Sequence, residues 1–199
     1  MTSPAPTGAE IAGDYSRRLQ AVMQAANWDG VARLAGDMRK CWHEQRQVFL
    51  CGNGGSAGNA MHLANDLVYG VAKDQGVGLR ALALPSNSLV VTCLANDIGY
   101  ERIFSQQLAV QARAGDLLIV MSGSGNSPNI LRALEQAKTM GLRSVAILGY
   151  SGGKAKALAD SAIHFAVDDM QIAEDLQLIV GHMIMQWLYR NPPELKERA

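Results

Sequence analysis

The sequence has no surplus of either charge. Its 199 residues carry 18 Lys plus Arg and 18 Asp plus Glu, a formal net charge of zero, so no global basic field draws it to nucleic acid. Near-zero charge also puts little repulsion between copies of the chain. Cysteine is scarce. Cys41, Cys51 and Cys93 are an odd number without metal-type spacing, which argues against a disulfide framework and a zinc ribbon. No run of ~18 apolar residues occurs, so nothing in the sequence reads as a membrane span. Met1–Gly8 is rich in Pro, Ser and Thr and lacks a basic-then-apolar signal pattern. A reduced, cytoplasmic protein is the expectation. Charged residues make up only 18% against 48% hydrophobic, which excludes a disordered, highly charged tail.

What is present reads as one α/β domain, residues 9–199, behind a loose leader at 1–8. Ile11, Tyr15, Leu19 and Val22 recur at helical spacing. Asp29 starts a second such stretch, with Val31, Leu34, Ala35, Met38 and Trp42 on one face. The segment 9–46 is therefore two leading helices, and 47–190 an α/β core with a last helix. Short apolar runs at 47–51, 79–84, 116–121, 143–148 and 162–167 predict five strands. Helices are predicted between and after them at 56–68, 87–95, 101–112, 128–139, 154–159 and 170–189. Strands that are nearly all apolar and alternate with helices indicate a parallel sheet covered on both faces, a three-layer α/β sandwich.

Two loops suit anions. Gly52-Asn53-Gly54-Gly55-Ser56 lies between the first strand and its helix, where free backbone N–H groups and the Ser56 hydroxyl favour an anion. Gly52-x-Gly54-x-x-Ala57 also matches the dinucleotide fingerprint. The end of the second strand, Leu82-Ala83-Leu84-Pro85-Ser86, lacks the carboxylate that fingerprint needs. A nicotinamide cofactor is therefore not expected, and a plain tight turn stays the alternative. The second loop is Ser122-Gly123-Ser124-Gly125-Asn126-Ser127. Without a lysine it is no nucleoside-triphosphate loop, but its hydroxyls and N–H groups suit a phosphate monoester. The alternative is a polar turn with Ser127 as a helix cap. Two such loops at the carboxyl ends of strands in one sheet favour a ligand.

His62 and Asp66 share a helix face at i,i+4. Glu174 and His182, on the last helix, are about 12 Å apart along its axis at ~1.5 Å per residue. Both reach one ion only if the side chains lean inward or that helix crosses the site obliquely. Two histidines and two carboxylates suit zinc or another divalent ion, or general acid/base work without metal. The plainer alternatives are a hydrogen-bonded His62–Asp66 pair, a satisfied core His182, and Glu174-Asp175 as first-turn acids.

These segments, with Ala60-Met61-His62, Ala95-Asn96-Asp97-Ile98-Gly99-Tyr100, Gly149-Tyr150-Ser151-Gly152-Gly153 and Gly181-His182, resemble the sugar isomerase (SIS) domain family over nearly the whole chain. The resemblance implies a five-stranded parallel sheet flanked by helices, in a flavodoxin-like arrangement, and a homotetramer with active sites at subunit interfaces. It implies aldose–ketose isomerisation of a seven-carbon sugar phosphate, sedoheptulose 7-phosphate, through an enediol. Ser56, Ser122, Ser124 and Ser127, with the loop glycines Gly54, Gly55 and Gly123, would hold the phosphate. Asn53, Asn96 and Asp97 would lie near the sugar. Zinc would sit on His62, Asp66, Glu174 and His182, and Asp66 and His182 would transfer the proton. The sequence departs from the family pattern at four positions: Asp66 stands for Glu, Glu174 for Gln, Gly70 for Arg and Gln171 for Asp. These departures keep two other readings open, an isomerase of a different sugar phosphate and a non-catalytic adaptor or sensor of the same fold.

Overall fold

A computed structural model describes residues 5–74 and 76–195. Residues 1–4 of the expected leader and 196–199 of the charged tail lie outside the described residues. Two helices come first, α1 (Gly8–Ala25) and α2 (Asp29–His43). Then follow β1 (Val48–Cys51), α3 (Gly55–Val68), β2 (Ala81–Ala83), α4 (Ser88–Ile98), α5 (Ser105–Gln111), β3 (Leu117–Ser122), α6 (Pro128–Met140), β4 (Arg143–Leu148), α7 (Ala155–Leu158), β5 (Ser161–His164) and α8 (Met170–Arg190). The five strands are all parallel, in the order β2-β1-β3-β4-β5.

Alternation within each strand feeds two cores. Val48, Leu50, Leu117, Ile119 and Met121 pack with α2, α3 and α8. Their neighbours Phe49, Cys51, Leu118 and Val120 pack with α5 and α6 on the other face. Side chains of a strand point to opposite faces with period two, so each strand must be apolar throughout. Full burial of one such side chain contributes about 1.5–3 kcal/mol. Burial also raises the Cys51 thiol far above its ordinary value, consistent with a core filler.

Several elements are shorter than the sequence predicts. The second strand loses Leu79 and Arg80, since Leu79 N–H bonds back to Leu67 O at 2.9 Å. It stops where Leu84–Ser86 wind into a 3-10 turn around Pro85. The helix expected at 101–112 begins as a 3-10 turn, Tyr100–Arg102, and is α-helical only over Ser105–Gln111. The expected strand 162–167 ends at His164, because Val167 N–H turns back onto Phe165 O at 2.8 Å. The start of α1 falls at Thr7, whose hydroxyl and the Glu10 carboxylate form a capping box.

Topology places the site. From β1 the chain moves outward to β2, then returns across the sheet to β3 on the other side of β1. The order therefore reverses between β1 and β3, and ligands of open α/β sheets bind outside the carboxyl ends of strands at such a point. Both polar glycine loops, 52–56 and 122–127, leave β1 and β3 at that crevice.

Candidate active site

The first turn of α8 lies across three glycine loops. A methyl group on Gly123 would come 2.5 Å from Met170 Sδ, one on Gly149 2.6 Å from Ala173 Cβ, and one on Gly55 2.5 Å from Glu174 Cδ. Real side-chain carbons do not approach so closely, so glycine at these places lets a helix, and not only a ligand, reach the loop backbone. Asp169 caps α8, its Oδ1 accepting from Ile172 N–H at 3.1 Å. Asp169 Oδ2 also takes a hydrogen bond from Arg18 of α1. The Arg18 guanidinium, then the Ile172 amide, hold the Asp169 carboxyl below the usual carboxylate range. Beside it Tyr15 Oη donates to Asp175 Oδ2 at 2.6 Å. Burial and that carboxylate push the phenol up to about 12. So α1, which has no buried residue, is latched to the start of α8.

In the second loop Ser122, 6% exposed, accepts from Gly125 N–H at 3.0 Å, and Ser124 Oγ accepts from Asn126 N–H at 3.3 Å. These bonds curl the loop. Ser127 stands at the N-cap of α6 without a side-chain capping bond, so its hydroxyl is not spent on the helix. In the first loop Asn53 and Asn129 exchange side-chain amide bonds of 2.9 and 2.7 Å. Tyr100 Oη donates to Asn53 Oδ1 at 3.1 Å. The two loops are thereby tied together through α6. Asn96 and Asp97 stand on the last turn of α4. They are exposed, Asn96 Nδ2 bonds Asp97 Oδ1 at 2.8 Å, and Cys93 Sγ lies 3.5 Å from Asp97 Oδ2.

Beyond the first loop, α3 and α8 approach closely at Leu63 and Gly181. This contact brings His62 Nε2 to 2.9 Å from His182 Nε2. Asp66 Oδ2 lies 3.4 Å from the first nitrogen and 3.7 Å from the second. The three donor atoms form a cluster that could hold a metal ion. Bonds of ~2.0–2.1 Å to one ion put donor atoms about 2.9 Å apart at a right angle and about 3.4 Å apart at the tetrahedral angle, so this donor set fits a divalent cation. The two histidines are about half exposed and Asp66 is mostly covered, which leaves an approach for a small molecule.

Glu174 is not brought into this cluster. Two turns back along α8, its Oε1 accepts from Ser56 N–H at 3.1 Å at the amide end of α3. The axial distance between residues eight apart is not bridged by leaning side chains. The backbone of that turn is fixed too, since Asn59 Nδ2 donates to Glu174 O at 2.9 Å. Sequence reasoning missed Asn129, 1% exposed, because a polar residue after Pro128 reads as an ordinary first-turn residue. It also missed Tyr100 as a partner of Asn53. The signal was its place at the end of the Ala95–Tyr100 segment, an aromatic next to a glycine at a helix end.

Two polar glycine loops at a sheet reversal, beside a His/Asp cluster, make up the candidate site. The chain belongs to the SIS domain family, whose domain matches residues 13–149. It is 38% identical to a phosphoheptose isomerase of Akkermansia muciniphila over 174 residues, 84% of this chain and 92% of that protein. It is 36% identical to the phosphoheptose isomerase of Chlorobaculum parvum over 176 residues, 86% of this chain and 83% of that one. The structure of phosphoheptose isomerase from Neisseria gonorrhoeae matches with a TM-score of 0.84 at 26% identity. That match covers 92% of this chain and 98% of the other.

Proposed function

We propose that this protein is an aldose–ketose isomerase that converts sedoheptulose 7-phosphate to the heptose 7-phosphate. The observation that carries the reading is the His62–Asp66–His182 cluster beside two hydroxyl- and amide-rich loops, in a chain similar to phosphoheptose isomerases along most of its length. The phosphate takes the hydroxyls and amides of the second loop. The sugar chain extends past Asn53 towards the cluster. A base, Asp66 or His182, takes a proton from the carbon beside the carbonyl, giving an enediol. The hydroxyl proton passes to the former carbonyl oxygen, and the other group of the pair returns a proton to the former carbonyl carbon. Asp66 Oδ2 and His182 Nε2, 3.7 Å apart, are close enough to serve one substrate edge from a single side.

His62, Asp66 and His182 would hold the ion, and nitrogen and carboxylate donors of this kind suit zinc. Bound there, zinc supplies Lewis-acid polarisation of the carbonyl oxygen. The assembly we propose is a homotetramer with interfacial active sites. It is supported by α4, an apolar helix with no buried residue, whose end adjoins Tyr100 and the first loop. No helix among the described residues is long and apolar enough to cross a membrane. With free cysteines only among those residues, the working place we propose is the cytoplasm.

The test is proton NMR with sedoheptulose 7-phosphate in heavy water, with and without zinc. Solvent deuterium entering substrate or product, dependent on protein, supports the reading. A folded, zinc-loaded protein that exchanges no proton with this substrate, but does with another sugar phosphate, moves the reading to that substrate.

A further inference from the structure

Tyr150 holds a backbone φ of 44°, in the left-handed region that residues other than glycine seldom adopt. Such a conformation lasts only where the surroundings fix it. Here both polar groups of the Tyr150 backbone are held from β5 and the residues after it. The Tyr150 N–H donates to Val167 O at 3.0 Å. The Tyr150 carbonyl lies 2.9 Å from Nε2 of His164, the half-buried last residue of β5. A carbonyl only accepts, so this ring nitrogen carries the proton. The other, Nδ1, is 3.1 Å from Lys156 Nζ on α7. A lysine side chain only donates, so Nδ1 supplies the lone pair. The two contacts select one tautomer of His164, with Nε2 aimed as a donor at Tyr150.

Tyr150 lies in a segment bonded to the second loop on both sides of it. Before it, Gly149 N–H is shared between Ser122 O at 3.3 Å and Gly123 O at 3.1 Å. After it, Lys154 N–H donates to Asn126 Oδ1 at 3.1 Å, and Ala155 N–H to Gly125 O at 2.9 Å. The backbones also touch, since a methyl group on Gly153 would be 2.7 Å from Gly125 O. We propose that His164 is a positioning residue for anion binding: it fixes the left-handed turn at Tyr150 and, through segment 149–155, the donors of the second loop. Donors already set in place bind an anion without a further ordering cost. The consequence for the substrate rests on the isomerase reading, in which its phosphate lies on this loop. The bracing of the loop does not.

The test compares two amide replacements of His164 in the full-length chain. The Gln side chain brings an N–H donor to about the reach of Nε2. The Asn side chain ends at the reach of Nδ1, so it keeps an acceptor for Lys156 and loses Tyr150. By calorimetry with inorganic phosphate, His164→Asn should bind at least fivefold more weakly than the parent chain, and His164→Gln within twofold of it. Amide exchange at Gly149 and Ala155, without ligand, should be at least tenfold faster in His164→Asn and within threefold of the parent chain in His164→Gln. With sedoheptulose 7-phosphate, His164→Asn should raise KM at least fivefold and leave kcat within twofold, because the His62–Asp66–His182 cluster stands on α3 and α8. Lys156→Met removes an exposed amine and leaves the Tyr150 contact, so phosphate affinity should stay within threefold. Equal phosphate affinity or equal amide exchange in the parent chain and His164→Asn overturns the proposal. So does a loss in His164→Gln as large as in His164→Asn, or a fall in kcat with KM unchanged. A loss of tenfold in Lys156→Met assigns the effect to the lysine charge and overturns it as well. Melting curves establish that each variant is folded. A chain that exchanges no proton with sedoheptulose 7-phosphate fails as that isomerase, while phosphate binding and amide exchange still decide the part of His164.

Discussion

Gly181 on α8 lies directly against Leu63 on α3. A methyl group at Gly181 would be 2.6 Å from Leu63 Cδ1 and 2.9 Å from its Cγ. Each of these residues adjoins a histidine of the cluster, Gly181 beside His182 and Leu63 beside His62. The histidine rings meet edge to face with centroids 5.1 Å apart. The separation of the two donor nitrogens is thus set by a missing side chain one residue away. A helix interior would otherwise favour alanine over glycine by about 1 kcal/mol, so this glycine is retained against local propensity.

Gly181→Ala tests this directly. Leu63 is 5% exposed and packed in the core, so it has little room to turn aside. Overpacking of this kind costs about 1–3 kcal/mol. Stability in a urea titration should fall by that amount. Zinc affinity should fall at least tenfold, as α3 and α8 are pushed apart. Unchanged zinc binding in the folded variant would show that the two histidines are not positioned by this contact.

Asp66→Asn separates chemistry from binding. The amide keeps the volume but gives up the charge and the basicity. Loss of a positioned acid/base group lowers rates about 10²–10⁴-fold. Deuterium incorporation into sedoheptulose 7-phosphate should fall within that range, while phosphate affinity at the second loop stays as in the parent chain. Full activity in Asp66→Asn would remove Asp66 from the proton transfer.

Much of this arrangement is legible in the residues. The helical spacing of Val31, Leu34, Ala35, Met38 and Trp42 marks the buried face of α2. Apolar runs between helices give the five strands, and the serine-rich loop after β3 lies where the run ends. His62 and Asp66 are readable as a pair because both sit on one helix. Their meeting with His182 is not, since it depends on how closely α3 and α8 approach. Glu174 is legible only in part. The helix rise already sets it about 12 Å from His182 along the axis, the resemblance groups it with the histidines, and its carboxylate here meets the Ser56 amide at the start of α3. For α4, apolar composition suggests burial, yet the fold covers none of its residues fully.

Acid should loosen the latch between α1 and α8. The Asp169 carboxyl is held below its ordinary value, first by Arg18 and then by the Ile172 amide. A folded-state value below the unfolded one means the interaction stabilises fully above the unfolded value, about 3.9. It is lost as the pH falls through the folded value. Unfolding of the parent chain and of Asp169→Asn, compared from about pH 6 down to about pH 2, should show the parent chain more stable at the upper end. The gap should close at the acid end. Arg18 is about half exposed and Asp169 mostly covered, so added salt, acting on the exposed guanidinium, should narrow the gap as well. A gap independent of pH would assign the difference to capping alone.

The apolar exterior of α4 bears on assembly and on activity together. Leu89 is 79% exposed and Ile98 38%, on a helix without one buried residue. Leu89 in particular stands clear of the side of α4 whose Val91, Leu94 and Ala95 pack on the core, and an apolar side chain so exposed suits contact with another surface. A chain of zero net charge brings little repulsion to oppose contact between copies. Sedimentation should therefore give a mass about four times the 21.3 kDa of one chain. Leu89→Arg should shift the protein to smaller species without lowering the melting temperature of the isolated subunit. The helix ends at the turn that carries Tyr100 to Asn53, so dissociation should also lower isomerase activity, and restoring the oligomer at high protein concentration should restore it. A parent chain that sediments as a 21.3 kDa monomer at all concentrations, fully active, would place the complete site within one subunit and leave the α4 surface without a part in it.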